Sequence, residues 1–341
     1  MSDPESLSVE ILVIGAGVLG LCTAAELTRR DHQVRVLDPG GVNASSVAAG
    51  MIAPALESAI DAVTPERAAL LRRAADLWPE FAEVHGLELL EDGAEWRGEG
   101  ADAIEARLTA LGFAPRRDGD RVLVAEDHRV DAEAALGVLA AALAEPPIRG
   151  EARSLTFEAG RWRMAHTAGA IDARVVVLAT GAATGIPGLP ASVAALVEAI
   201  APIRGQIGRV RAMDEPGVVR GRGAYAVSGR DWTLIGATMD AGRRDLEPDP
   251  DQALALTDAL RTITGTTVEA DDIDWRVGIR GATPGGLPLA GASGAPGLFL
   301  ALAPRRNGWL LGPLVGRVVA DAIKGDAPMA DAAALDPLRP L

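Results

Sequence analysis

"ILVIGAGVLGLCTAAELTRR", residues 11–30, is the stretch on which the fold turns. Val9 to Ile14 reads as a buried strand, and Val18 to Arg30 repeats its apolar residues with helical spacing. Between them Gly15, Gly17 and Gly20 fit G-x-G-x-x-G. The first glycine permits the tight turn, the second lets the backbone approach a pyrophosphate, and the third lets helix and strand pack closely. The first helical amides, from Val18 onward, then point at the phosphates, where free N–H groups and the helix dipole favour negative charge. A second strand, Val34 to Leu37, ends at Asp38, an acid placed to accept hydrogen bonds from a ribose. Asp38 disfavours a 2′-phosphate, so NADP is set aside while NAD and FAD both remain.

The rest of the chain is read from this unit outward. Its 341 residues exceed one ordinary core, which implies two domains. A net charge of -14 argues against nucleic-acid and anionic-membrane partners, both of which need positive surface. The single cysteine, Cys22, excludes an intramolecular disulfide and a thiolate metal cluster. Met1 to Glu10 is acidic rather than basic-then-apolar, and no apolar run is long enough to span a bilayer, so a cytoplasmic protein without a signal peptide is expected.

Further elements follow by pattern. Thr64 and Pro65 open a helix over Glu66 to Phe81. Residues 87–130 mix short strands with a helix over Ala101 to Leu111, and Asp131 to Leu143 is helical. Arg153 to Phe157 and Arg161 to His166 form a hairpin. Ala173 to Gly181 suits a central parallel strand. Gln206 to Arg211, Ala224 to Ser228 and Thr233 to Thr238 belong to a second sheet, followed by a helix over Asp251 to Ile263. Pro284 to Pro296 reads as a loop, Leu298 to Leu302 as a strand, and Gly312 to Lys324 as the last helix. Nucleotide-type segments thus occur at the start, middle and end. The expected fold is α/β, with a discontinuous Rossmann-like nucleotide domain (1–78, 130–195, 276–341) and a smaller α+β substrate domain built on an antiparallel sheet (79–129, 196–275).

Three stretches move the choice to FAD. "SSVAAGMIAP" (45–54) resembles the small-residue loop of flavin amine oxidases, "VVVLATGAA" (175–183) their second nucleotide strand, and "PRRNGWLLGPLVGRVVADAI" (304–323) their C-terminal flavin loop and helix. With "RAADLWPEF" (73–81), "PIRGQIG" (202–208), "LIGATM" (234–239) and "GIRGATPGGLPLAG" (278–291), nearly the whole chain resembles the D-amino-acid oxidase family, in its glycine oxidase branch linked to thiamine biosynthesis. The resemblance implies a two-domain enzyme with non-covalent FAD, which oxidises a small amino acid to an imine while oxygen is reduced to hydrogen peroxide. It places Gly15, Gly17, Val18, Gly20, Asp38, Ser45, Ser46, Ala49, Gly50, Met51, Gly181, Asn307, Gly308, Trp309 and Leu310 at the cofactor. No cysteine lies near the C-terminal loop, so a cysteinyl-flavin link is not available, and Cys22 reads as a small core residue.

For the substrate, the resemblance points to Arg280 as carboxylate clamp, Tyr225 as a hydroxyl partner of the same carboxylate, Met239 as a soft wall and Arg306 as a cation near flavin and substrate. A guanidinium fork matches a carboxylate bidentately, which lysine does not. The competing readings are an ordinary ion pair for Arg280 and core packing for Tyr225 and Met239. His32, His85, His128 and His166 are scattered and match no motif, so all four read as structural or surface residues. The sequence departs from the family pattern at Arg276, Gly281, Gly285-Gly286 and Ala303-Pro304. Partners are a small amino acid and O2, with association of several copies in line with the family. A flavin dehydrogenase for D-amino acids or secondary amines, passing electrons to another acceptor, has the same fold, and a catalytically idle flavin carrier stays as a third class.

Overall fold

The computed structural model describes residues 7–183, 185–215 and 217–339, so most of the acidic start, residues 1–6, lies outside the described residues. The chain forms two compact units. The first takes the described residues up to Ser46, Leu136–Ile203 and those from Arg280 onward; the second takes Val47–Ala135 and Arg204–Ile279.

In the first unit, strands Leu298–Leu302, Gly169–Leu178, Leu7–Ile14, Val34–Asp38 and Ile148–Arg149 lie side by side in that order and run parallel. Ile11 sits opposite both Val34 and Val175, so the first strand is central and buried on both faces. The expected hairpin is present as Ala152–Glu158 and Arg161–His166, joined by Ala159 and Gly160, both at positive φ, the twist-matching geometry of a two-residue turn. Leu289–Ala292 is an antiparallel edge strand on Leu298–Leu302, inside the stretch read as a loop. Its Leu-Ala-Gly-Ala sequence is too short and too small-residued to show a period of two.

The C-terminal helix begins at Gly308, a turn before the expected Gly312, and carries Pro313 inside it. Gly308, Gly312 and Gly316 recur every fourth residue, one face of a helix. A Cβ on Gly308 would lie 3.2 Å from Val18, one on Gly312 2.9 Å from Cys22 Sγ, and one on Gly316 2.8 Å from the Cys22 carbonyl. Residue numbers rise together on both helices, so Val18–Arg29 and Gly308–Lys324 pack parallel at backbone contact and their N-termini share one end. At the other end Arg30 joins buried Glu26 (2.8 Å) to Asp321 (2.7 Å). Burial would raise the Glu26 carboxyl, but Arg29 and Arg30 hold it below its ordinary value. A short helix, Ala332–Leu335, follows the expected last one.

The second unit is a nine-stranded sheet, mostly antiparallel, with Val218–Gly221 and Ala94–Arg97 as a parallel pair. Helices Pro54–Ile60, Pro65–Ala75 and Ala101–Ala110 share one core with Trp96, Val122 and Ile207. Helix Pro250–Thr264 shares another with Val219, Ala226 and Ile235 on neighbouring sheet residues. That shared burial puts residues 47–78 and 130–135 in this unit, rather than with the first segment as expected; the other boundaries shift by a few residues. The helix expected over Glu66 to Phe81 is two helices, Pro65–Ala75 and Trp78–His85. Pro79 is the reason: without an N–H it suits the first turn of a new helix and not the interior of an old one.

Candidate functional site

Four loops of the first unit open at one edge of its sheet, because strands Leu7–Ile14, Val34–Asp38, Gly169–Leu178 and Leu298–Leu302 run parallel and end there. In open α/β sheets, ligands bind beyond those carboxyl ends. Gly15 follows the first strand with φ +113, and a Cβ there would collide with the Ala179 carbonyl. Gly17 is the N-cap residue of the helix and offers no side chain to it. Asp38 accepts from the Ala16 N–H (2.7 Å) and from the Gly40 N–H (2.6 Å), each through a different carboxylate oxygen. Each oxygen keeps a further lone pair, so Asp38 both braces the glycine turn and stays able to accept from a ribose.

Ser45 ties the two helix starts together. Its hydroxyl accepts from the Val18 N–H (3.0 Å), and its carbonyl accepts from the Trp309 indole N–H (3.2 Å). Asn43 folds this loop, accepting from the amides of Ser45 and Ser46 and receiving the Ser46 hydroxyl on its carbonyl. Two parallel helices therefore aim positive dipole ends at one place, lined by glycine where a larger residue would intrude. A diphosphate fits this cradle by charge and by the space that missing Cβ atoms leave.

The loop after Leu302 is the most constrained part of the same edge. Ala303 (φ 60) and Arg305 (φ 55) sit in the left-handed region, a cost of order 1–3 kcal/mol each that the surroundings must hold. The Arg305 N–H donates to the Gly281 carbonyl (2.8 Å), Ala282 bridges Pro304, and the Asn307 N–H donates to the Pro304 carbonyl (3.0 Å). A Cβ on Gly281 would lie 2.9 Å from Ile200 and 3.0 Å from the Gly181 carbonyl, which explains glycine at this position. The strap brings the backbones of Arg280 and Arg306 to neighbouring positions beside the start of the C-terminal helix, with both side chains half-buried.

The remaining site residues lie in the second unit. The Val130 N–H donates to the Gly50 carbonyl (3.0 Å), and Met51 pairs with Arg129 in a two-stranded ladder. Tyr225, on strand Ala224–Ser228, faces Gly236 across the ladder, and a Cβ on Gly236 would collide with the tyrosine hydroxyl. The glycine of "LIGATM" thus makes room for the ring. Met239 is partly exposed, between Thr238 and Asp240. The Gln206 N–H donates to Thr238 Oγ1 (2.9 Å), and Arg204 donates to Asp240 (3.0 Å).

Several residues here escaped sequence reasoning. Arg204 is fully buried and also meets Gln252 (3.1 Å), Asp245 (3.2 Å) and the Glu247 carbonyl, so "PIRGQIG" fixes the backbone on both sides of Met239. Replacing Arg204 by methionine is expected to cost about 3–5 kcal/mol, since Asp240 and Gln252 lose a buried partner; thermal or urea denaturation measures it. Glu57, Arg220 and Asp127 form a second buried cluster. Arg220 Nη1 meets Glu57 Oε1 at 2.7 Å, and Asp127 accepts from the Ala55 (2.8 Å) and Leu56 (3.1 Å) amides. Only Glu57 carried a signal, as an acid inside the apolar segment IAPALESAI; Asp127 lies among charged neighbours and carried none.

The histidines are scattered: His32 pairs with Glu10, His85 packs against Phe81, His128 lies opposite Ile52 in the ladder that holds Met51, and His166 accepts from the Ala168 amide. Cys22 is buried, which pushes its thiol far up. Among the described residues there is no group of three acids, histidines or cysteines able to hold a metal, and no helix is long and apolar enough to cross a membrane.

Comparison with known proteins supplies the chemistry. Glycine oxidase of Pseudomonas putida is 28% identical over 370 residues, covering 97% of this chain and 99% of that protein. Glycine oxidase of Geobacillus kaustophilus is 28% identical over 92% of this chain and 93% of its own. Its crystal structure superposes with a TM-score of 0.83 at 26% identity, covering 98% of this chain and all of that one. The family described as FAD-dependent oxidoreductase matches residues 10–322, from the first strand to the C-terminal helix. A match that runs through the glycine turn, the central strand and the strapped loop alike shows that this chain belongs to the family of FAD-dependent oxidoreductases, with FAD as its cofactor.

Proposed function

We propose that this enzyme oxidises a small amino acid, glycine or a sarcosine-like amine, to its imine and thence the 2-oxo acid, with O2 reduced to H2O2. The observation that carries the reading is the strap from Arg305 to Gly281, which sets two arginines beside the helix start that receives the cofactor. It is supported by relatives that are themselves glycine oxidases.

Bound FAD supplies the two-electron acceptor, which oxygen returns to its oxidised form. Asp38 and the N-terminus of helix Val18–Arg29 hold the nucleotide end, the acid on the ribose and the amides on the diphosphate. The start of helix Gly308–Lys324 stabilises negative charge near the redox end. Gly181, Asn307, Gly308, Trp309 and Leu310 would line that end, with Ser45 joined to Trp309 beside them. Arg280 is assigned the substrate carboxylate, which its guanidinium fork would match bidentately, and Tyr225 the part of a hydroxyl partner. Fixing the carboxylate fixes the direction of the α C–H bond, so the chain contributes orientation rather than an acid–base pair. Met239 limits the side chain that fits, and Arg306 adds positive potential. With its one cysteine buried in the first helix, the chain offers no thiol for a cysteinyl-flavin link, in line with non-covalent FAD.

An anaerobic glycine titration of the purified protein tests this. The visible flavin absorbance is expected to bleach and to return on admission of air with release of peroxide. A flavin that glycine, sarcosine and small D-amino acids all leave yellow would refute the reading. Bleaching without recovery in air would instead favour a dehydrogenase.

A further inference from the structure

The segment that carries Met239 is held by two different means. Up to Gly236 it belongs to the sheet: Gly236 lies opposite Ile207 on one side and Tyr225 on the other, with the tyrosine hydroxyl over it. Residues 237–239 then lie in no strand, and pairing resumes at Asp240–Ala241. Side chains take over where the ladder stops. Before Met239, the Gln206 N–H donates to Thr238 Oγ1 (2.9 Å) and the Gln206 carbonyl accepts from the Thr238 N–H (3.2 Å). After it, Asp240 accepts from Arg204 Nη1 (3.0 Å) and from Gln252 Nε2 (2.9 and 3.0 Å).

Arg204 and Gln206 are fully buried and two apart on strand Ala201–Arg211, so they share one face. Together they also fasten the loop that follows. Arg204 donates to the Asp245 and Glu247 carbonyls and pairs with the Asp245 carboxylate (3.2 Å). The Gln206 side chain donates to the Asp249 carbonyl (3.1 Å) and accepts from the Asp249 N–H (2.6 Å). Asp249 caps helix Pro250–Thr264, and Gln252 in its first turn accepts from Arg204 (3.1 Å). Residues 238–252 are thus closed onto one strand by two side chains. Met239 sits between the two fastenings and is 39% exposed.

We propose that this staple, Arg204 and Gln206 acting through Thr238 and Asp240, sets the size limit of the substrate by holding Met239 in place. The inference rests on the reading of Met239 as a wall of the substrate site. A wall excludes a larger substrate only as far as it resists displacement. Methionine is itself compliant, with three rotatable bonds, so the resistance has to come from the backbone that carries it. A buried, satisfied polar network supplies that resistance, because moving Met239 breaks bonds to groups that water does not reach. Tyr225 is seated by the ladder, ahead of the staple. Loosening the staple therefore relaxes discrimination by size and spares the hydroxyl partner. Arg204, Gln206, Thr238, Asp240 and Gln252 are positioning residues, acting on substrate only through Met239.

Asp240→Ala cuts one fastening without leaving a lone buried charge, since Arg204 keeps the Asp245 carboxylate. The test compares kcat/KM for glycine with that for D-2-aminobutyrate and N-ethylglycine, which add two carbons at the α carbon and at nitrogen. In Asp240→Ala at least one of the larger amines is expected to gain about tenfold relative to glycine. A variant that is merely less stable loses activity towards all substrates alike and keeps the ratio. Thr238→Val removes the Oγ1 acceptor at the other fastening and is expected to shift the ratio the same way; it decides the matter if Asp240→Ala does not fold. Trypsin gives a readout without substrate, because Arg243 and Arg244 lie in the fastened loop. Cleavage of the FAD-loaded protein after these residues is expected to be about tenfold faster in the staple variant than in wild type. Unchanged ratios, or cleavage at the wild-type rate, overturn the proposal. Met239→Ala tells the two possible failures apart. If it shifts the ratio and the staple variants do not, the staple falls and the wall stands. If it too leaves the ratio unchanged, Met239 is not the wall, and the functional reading of that residue is what fails.

Discussion

Arg280→Ala is expected to raise KM for glycine by about two to three orders of magnitude, ~3–4 kcal/mol, while FAD stays bound. The size follows from what is removed. A carboxylate that leaves water for a partly enclosed site needs a fixed cation and two aligned donors, and the guanidinium supplies both. Arg280→Lys keeps the charge and loses the fork, so it should fall between the two. Gly281, not Arg280, holds the strapped loop through its carbonyl, so the loop survives truncation of its neighbour. Steady-state kinetics at saturating oxygen, with flavin content measured on the same sample, gives the result. An Arg280→Ala enzyme with wild-type KM would remove the clamp and return Arg280 to an ordinary ion pair.

Gly15→Val is expected to yield protein without flavin. Valine at φ +113 is strained by about 1–3 kcal/mol, and its Cβ points into the Ala179 carbonyl, part of the backbone that closes the turn. Relief requires the first helix to move away from the sheet, which opens the diphosphate cradle. A loss of about 3 kcal/mol lowers FAD affinity roughly 100-fold. The ratio of flavin to protein absorbance, before and after incubation with FAD, measures it. A Gly15→Val protein as yellow as the parent would take the glycine turn out of the cofactor site.

What the sequence disclosed was local. Gly15, Gly17, Gly20 and Asp38 sit within one strand–helix–strand unit, and their chemistry is carried by spacing. Strand Gly169–Leu178 showed through its second half, the apolar run Val175–Leu178, whose last three residues are buried, while Asp172 and Arg174 interrupt the pattern before it. Leu289–Ala292 did not show, since glycine and alanine carry no alternation. The split at Pro79 was legible in principle, because a proline that opens one helix closes another. The clusters around Tyr225 and Met239 were hidden for a different reason. Asp127 meets a helix 72 residues earlier in the chain, and Arg220 meets Glu57 across 163. A pairing at that distance has no periodicity to betray it, and a single buried charge reads as one more surface residue until the fold closes over it.

The interleaving of segments has a consequence for how this protein is made. Its first strand needs Gly169–Leu178 on one side, and that strand in turn needs Leu298–Leu302. At ribosomal speeds of about 5–20 residues per second, the amino-terminal glycine turn waits roughly 10–50 s before the last of these emerges. During that interval its apolar strand and helix have no permanent cover. Chains cut short before residue 298 can therefore make the turn's sequence but not its sheet. The nascent chain, rather than the finished enzyme, is the form most exposed to chaperones and to aggregation.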